Sequence, residues 1–315
     1  TSPPDNTGVI RVITNLDSRA ISATANLSVA WDGTDTPPIA QTNYNYQTAL
    51  QVYDDLGSSH DLTIYFDPGV AANTWEYIVT CNPAEDNRAG FAGDTEQGQL
   101  LRGLITFNAG SGAIEDMTYE ECTNPGAGTW ADASLSSDGY PEFDTKFSSA
   151  GGTQTIMLNI GTRTTDAGVT WTNDALSTTQ YASASTTIFQ TQDGYATGFL
   201  QDIAADVDGV ITGHYSNGQI LELYRVALAN FNNPWGLSKE GGNLFRATRA
   251  SGDPTTGHPG TNGLGRLAPN SLEQSNVDIA TEFVKMITVQ RGFQANSKII
   301  TTTDDMLAEL INLKR

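Results

Sequence analysis

Apolar and polar residues alternate over short stretches of the first half of the chain. Leu62, Ile64 and Phe66 share one face before Asp67-Pro68-Gly69 breaks the run, and Trp75, Tyr77, Val79 and Cys81 do so before Asn82-Pro83. Ile105 with Phe107, and Ile156 with Leu158 and Ile160, repeat the pattern ahead of glycine-containing turns. A period of two turns one face of each segment inward and predicts β-strands. No helical period interrupts them, so the fold is expected to be mainly β, with a β-barrel or sandwich domain over 41–165. Residues 1–40 read as an extended entry segment, and the Thr-, Ser- and Ala-rich stretch 166–190 as a linker.

A second, smaller β domain is expected over 191–265. Strands at 199–207, 210–216 and 219–228 are separated by Asp208-Gly209 and Asn217-Gly218. Both dipeptides suit two-residue type I′ turns, so a three-stranded meander is predicted. From Asn232 to Gly265 glycine and proline are so dense that an extended connector without regular elements is expected.

The last segment changes period. Ile279, Met286, Phe293, Ile300 and Leu307 recur every seven residues, with Val289 and Leu310 three residues after two of them and a polar Asn296 between. This is the seam of a coiled-coil-type α-helix. Ser271 and Gln274 fit a capping box, which places the helix at 271–312. Gly292 and the β-branched run from Ile299 to Thr303 weaken its intrinsic propensity. Burial of a seam residue contributes about 1.5–3 kcal/mol, but only against a partner surface. The helix is therefore built to be covered.

Charge separates the two halves. Residues 1–190 hold 23 acids against 6 bases, net −17, whereas residues 191–315 hold 13 acids against 10 bases, net −3. The total of −20 disfavours nucleic acid and anionic membrane surfaces, both of which require cations. The length of 315 residues accommodates about two domains, and no apolar run approaches the roughly 18–20 residues of a membrane span. The opening Thr1-Ser2-Pro3-Pro4 does not resemble a cleavable secretory leader.

Catalytic and metal signatures are weak. Asp206-Val207-Asp208-Gly209 begins like a calcium loop, but Val210 and Asn217 stand where ligands are required, so a hairpin turn is the better reading. His60, His214 and His258 lie in separate segments, and neither a nucleophile elbow nor a phosphate loop is present. No enzyme, metal or cofactor is expected. Cys81 and Cys122 either form a bridge or stay as two buried thiols. Trp31, Trp75, Trp130 and Trp171 serve as buried anchors or as a sugar-stacking platform.

The tail from Leu272 through Ser275, Asn276, Val277 and Asp278, and on to Gln290, Arg291, Gln294 and Asn296, resembles the C-terminal signature of bacterial flagellar axial proteins. Asp193-Gly194-Tyr195, Tyr215-Ser216-Asn217-Gly218 and the stretch from Tyr53 to His60 are similar to the hook-protein branch of that superfamily. The resemblance implies a structural subunit of a curved tubular filament that transmits torque as a universal joint. Residues 41–165 would then form the outer, inserted β domain, 191–265 the inner one, and 271–312 the assembly helix. It implies as partners further copies of the chain, neighbouring rod and hook–filament junction proteins, the hook cap and the export machinery. It also implies export to the flagellum outside the cell without a cleaved signal. The family begins with an N-terminal helix and an Asn-rich stretch that do not occur here, so the chain is expected to be the latter part of a longer protein, with an incomplete inner β domain. Two rivals are a distal-rod protein and a glycan- or surface-binding β module.

Overall fold

The structure is a computed structural model that describes residues 1–23, 26–124, 128–149, 151–166 and 170–313. The chain divides into two compact units: Thr1–Ala204 with Val210–Arg225, and Ala205–Gly209 with Val226–Arg315.

Unit 1 starts with β1 (Val9–Asp17), β2 (Tyr46–Tyr53), β3 (Ser59–Pro68) and β4 (Thr74–Cys81). It continues with β5 (Gln99–Phe107), β6 (Ile114–Met117), β7 (Glu120–Asn124), β8 (Thr129–Asp132), β9 (Glu142–Thr145) and β10 (Gln154–Asn159). Short strands β11 (Thr162–Thr164), β12 (Trp171–Asn173) and β13 (Thr179–Tyr181) precede the longer β14 (Thr186–Gln192). One sheet runs β2-β3-β4-β5-β7-β8 with β6 on β5, and the other runs β13-β1-β10-β9 with β14 on β1. The alternating residues of β3 and β4 meet in register, Leu62 opposite Cys81 and Phe66 opposite Tyr77. Their inward side chains join Ile10, Val12 and Leu16 of β1 and Ile156 and Leu158 of β10 in one buried core. The arrangement is a sandwich of open sheets, so the barrel alternative does not apply.

The first 40 residues are not merely an extended entry. β1 lies inside the second sheet, pairing with β10 and β13 in parallel and with β14 antiparallel. Val12, Ile13, Thr14 and Leu16 are buried on both faces, which removes the period-two signal and leaves a continuous apolar run. The stretch 166–190 is likewise more than a linker, since β12, β13 and part of β14 fall in it. Its threonines carry strand propensity without hydropathy. Ladder bonds to β1 hold it, helped by Thr178 Oγ1, which accepts the Thr14 N–H at 3.2 Å.

The meander forms from β15 (Leu200–Ala205), β16 (Val210–Tyr215) and β17 (Ile220–Arg225), in that order. Its turns are not type I′. Only the glycines take positive φ, 81° at Gly209 and 80° at Gly218. Each glycine N–H donates three residues back, Gly209 to the Asp206 carbonyl at 3.1 Å and Gly218 to the Tyr215 carbonyl at 3.0 Å. That pattern belongs to a three-residue loop ending in a glycine bulge. The Asp206 carboxylate accepts the Asp208 N–H at 2.8 Å, and the Asn217 side chain accepts the Gln219 N–H at 3.2 Å, locking both turns.

Unit 2 contains β18 (Leu228–Asn230), a 3-10 turn at Pro234–Gly236, β19 (Ser238–Gly241), β20 (Leu244–Arg246) and β21 (Thr255–Gly257). The glycine-rich connector therefore does hold regular elements. β19 and β20 form a hairpin, and β18 pairs with β21. Glycine here makes turns instead of dissolving strands: Gly241, Gly242 and Asn243 take φ of 91°, 59° and 64° in succession, a path closed to most residues.

The sulfurs stay apart. Cys81 on β4 and Cys122 on β7 are both buried thiols, and β5 runs between their strands. Two strand spacings amount to about 10 Å, beyond the roughly 7 Å limit for a bridge. Burial pushes the Cys81 thiol well above its ordinary range. Intact-mass analysis after alkylation in native buffer at pH 8 is expected to show an unmodified chain, with two additions appearing only on unfolding. Resistance of both sulfurs to alkylation in denaturant without reductant would refute the unbridged state.

Candidate assembly surface

The terminal helix α1 (Ile279–Leu313) is 35 residues long, about 52 Å at 1.5 Å per residue. It starts eight residues later than the capping box suggested. Asp278 is the cap: its carboxylate accepts the Ala280 N–H at 2.9 Å and its carbonyl accepts the Glu282 N–H at 3.1 Å. Ser271 instead donates its hydroxyl to the Ala268 carbonyl at 2.7 Å, and Ser275 Oγ accepts the Val277 N–H at 3.2 Å. Such local side-chain bonds compete with helix formation, so 271–278 enters α1 as non-helical chain.

Of the signature residues, Ser275, Asn276 and Val277 lie in that entry and Asp278 terminates it, while Gln290, Arg291, Gln294 and Asn296 lie on α1. Every described residue of α1 is exposed, including Ile279, Met286, Val289, Ile300, Leu307 and Leu310, and Phe293 at 76%. Thr302 and Thr303 return their hydroxyls to the Lys298 and Ile299 carbonyls at 2.8 Å each. Their polar atoms are thus satisfied within the helix, and their methyl groups remain available for packing.

The structure adds apolar residues that the seven-residue pattern left out. Ile299, Met306 and Leu313 form a second stripe of the same period, one position ahead of Ile300 and Leu307, and Phe283 and Ile287 widen the N-terminal half. The signal was present in the sequence as a second run at intervals of seven. A straight helix drifts by about 20° per heptad, so four heptads spread the seam over roughly 80°. A helix apolar on several faces is suited to burial among several neighbours, more than to one partner along one line.

The other candidates are structural. Trp31 and Trp75 are buried, Trp171 meets Tyr119 edge-on at 5.9 Å, and Arg102 covers the Trp130 ring at 4.1 Å. They do not form an exposed, coplanar sugar platform. His60, separate from the other histidines in sequence, is brought between two carboxylates: Nδ1 lies 2.6 Å from Glu85 Oε2 and Nε2 lies 3.5 Å from Asp54 Oδ2. Its ring stacks on Phe147 at 4.3 Å, so it clamps three loops of unit 1. Separations of 6 and 25 residues hid this cluster from a motif search. Among the described residues, no helix is long and apolar enough to cross a membrane.

Comparison with known proteins agrees with the tail and extends beyond it. Residues 15–195, more than half of the chain, match the family described as flagellar basal body protein FlaE D2 domain, and residues 268–313 match flagellar basal body rod FlgEFG protein C-terminal. The chain is 35% identical over 275 residues to the flagellar hook protein FlgE of Treponema pallidum, covering 86% of this chain and 57% of that one. It is 45% identical over 161 residues to FlgE of Borreliella burgdorferi, covering 51% and 35%. A crystal structure of Helicobacter pylori flagellar hook protein FlgE2 aligns over 66% of this chain and 38% of its own, with a TM-score of 0.35 and 19% identity. The chain thus spans between about a third and about three-fifths of the length of these hook proteins. The match over 15–195 lies outside the tail that rods share, and the distal-rod and glycan-module alternatives are not favoured. With an exposed, apolar terminal helix, a β sandwich ahead of it, and both regions matched to flagellar families, the chain belongs to the flagellar hook protein family, FlgE.

Proposed function

We propose that the chain is a structural subunit of the flagellar hook, a curved tube outside the cell that carries torque from rod to filament as a universal joint. The observation that carries the reading is α1 itself: some 52 Å of helix, apolar on several faces and exposed along its described length. Such a surface has one economical use, burial against identical or similar helices in a polymer. The family's named members are hook proteins, and a homopolymer accounts for a helix that is exposed among the described residues. Rod and junction proteins, the cap and the export apparatus complete the proposed set of partners, with export that uses no cleaved leader. The acidic sandwich, net −17 over residues 1–190, would keep the outer parts of neighbouring subunits solvated and able to slide.

Supplying the full chain to cells that lack their own hook subunit tests this. Electron microscopy of isolated basal bodies is expected to show curved tubes ending them. Basal bodies that still end at the rod, although the chain is made and exported, would overturn the proposal.

A further inference from the structure

Apart from α1, unit 2 presents a second surface that its own packing does not explain. Trp235, in the Pro234–Gly236 turn, is 96% exposed. The backbone beneath it is firmly held: the Gly236 N–H donates to the Asn233 carbonyl at 3.1 Å, and the Gly236 carbonyl accepts the Thr248 hydroxyl. A Cβ on Gly236 would lie 2.6 Å from the carbonyl carbon of Ala250, so the two arms touch here. The β19–β20 hairpin grows from this base, with Ser238 opposite Arg246, and exposes Leu244 and Phe245. Residues 232–251 thus form one tongue, apolar at its aromatic residues and carrying Lys239, Arg246 and Arg249 against Glu240, net +2. An exposed Trp on a segment that also carries arginine is the composition of a binding anchor.

Unit 1 carries a surface of opposite character. Glu120 on β7 stands directly opposite Asp132 on β8, and like charges so placed destabilise a sheet. Arg102 relieves this in part, bonding Glu120 at 2.8 Å. Along the same edge of β5, β6 adds exposed Glu115 and Asp116. Four acids against one arginine leave this edge short of cations.

We propose that the 232–251 tongue, led by Trp235, docks on the acidic β6–β8 edge of a second copy of the chain. The proposal rests on the hook-polymer reading and names one of its contacts. Charge complementarity selects the occupant: a tongue of net +2 meets an acidic edge on a second copy of the same chain. The contact is small. One Trp with Leu244 and Phe245 buries a few hundred Å², below the roughly 1,200 Å² of a stable pair. It therefore holds only where the polymer keeps the copies close, and it can release and re-form as neighbours move.

The test replaces Trp235 with the photoreactive p-benzoyl-phenylalanine in the full chain, expressed alongside a tagged copy in hook-forming cells. Adducts between tagged and untagged chains are expected to map to residues 114–132 of the tagged copy. Lys239→Glu with Arg249→Glu should lower their yield at least tenfold, and Asp132→Lys in the tagged copy should restore it. Adducts that map elsewhere, or a yield indifferent to charge reversal, would overturn the docking proposal. Should the photoreactive chain fail to enter hooks, the same charge pair is read as hook length and number, where loss without rescue, or no loss, equally counts against it. Failure of the unsubstituted chain to build any hook would instead defeat the hook reading itself.

Discussion

Phe293→Asp in α1 is expected to abolish incorporation into hooks while leaving both β regions folded. Phe293 is 76% exposed in the single chain, so the substitution removes little from the monomer. In a packed helix assembly the same position is covered. Aspartate there forfeits about 1.5–3 kcal/mol of apolar burial, and an unpaired carboxylate in an apolar seam costs several kcal/mol more. Repeated in every subunit, the penalty has no escape through a rare defect. Far-UV circular dichroism and the thermal transition of the purified variant should match those of the parent, with hooks absent by electron microscopy. Normal hooks from Phe293→Asp would show that the seven-residue seam is not the assembly contact.

The second large effect concerns the sandwich. Trp75→Ala is expected to destabilise unit 1 by about 3–5 kcal/mol, the range for deleting a large aromatic side chain from a packed core. Trp75 is 1% exposed on β4, opposite Pro68 of β3 and Ile105 of β5, so both flanking strands lose contacts. Against a total stability of about 5–15 kcal/mol, that loss is a large fraction. Trp235→Ala is the matched control, since a fully exposed side chain should move stability by less than about 0.5 kcal/mol. Calorimetry of the two variants separates the cases. Equal shifts in the unit 1 transition would contradict the division between buried and presented tryptophans.

These two substitutions draw on opposite ends of what was legible beforehand. β3 and β10 were visible because each buries one face, and alternation follows directly from a half-buried pleat. β4 was visible because Trp75, Tyr77, Val79 and Cys81 still alternate with polar Glu76 and Thr80, although Ile78 is buried on the opposite face, and β5 by its last residues, Ile105 and Phe107. β1 and β14 were hidden for contrary reasons. β1 buries both faces and so loses alternation, whereas β14 buries almost nothing and is held by its ladder to β1 and by polar contacts such as Thr187 Oγ1 to Thr48 Oγ1 at 2.9 Å. The start of α1 was misplaced because Ser271 and Asp278 are both good caps, and local bonds at Ser271 and Ser275 decided between them. Of the exposed apolar surface of α1, the main stripe was plain and its breadth was not. The His60 clamp and the acidic β6–β8 edge join residues from separate segments, and no spacing rule reaches across a sheet.

By itself the sequence determined the mainly β class, the asymmetric charge and a C-terminal helix with an apolar stripe, because periodicity and composition are properties of neighbouring residues. Only the tertiary structure decided that the sheets stay open as a sandwich, that Cys81 and Cys122 are held apart by β5, and which tryptophan faces outward. Those outcomes depend on which distant strands pair, and pairing is chosen by the joint burial of many side chains at once.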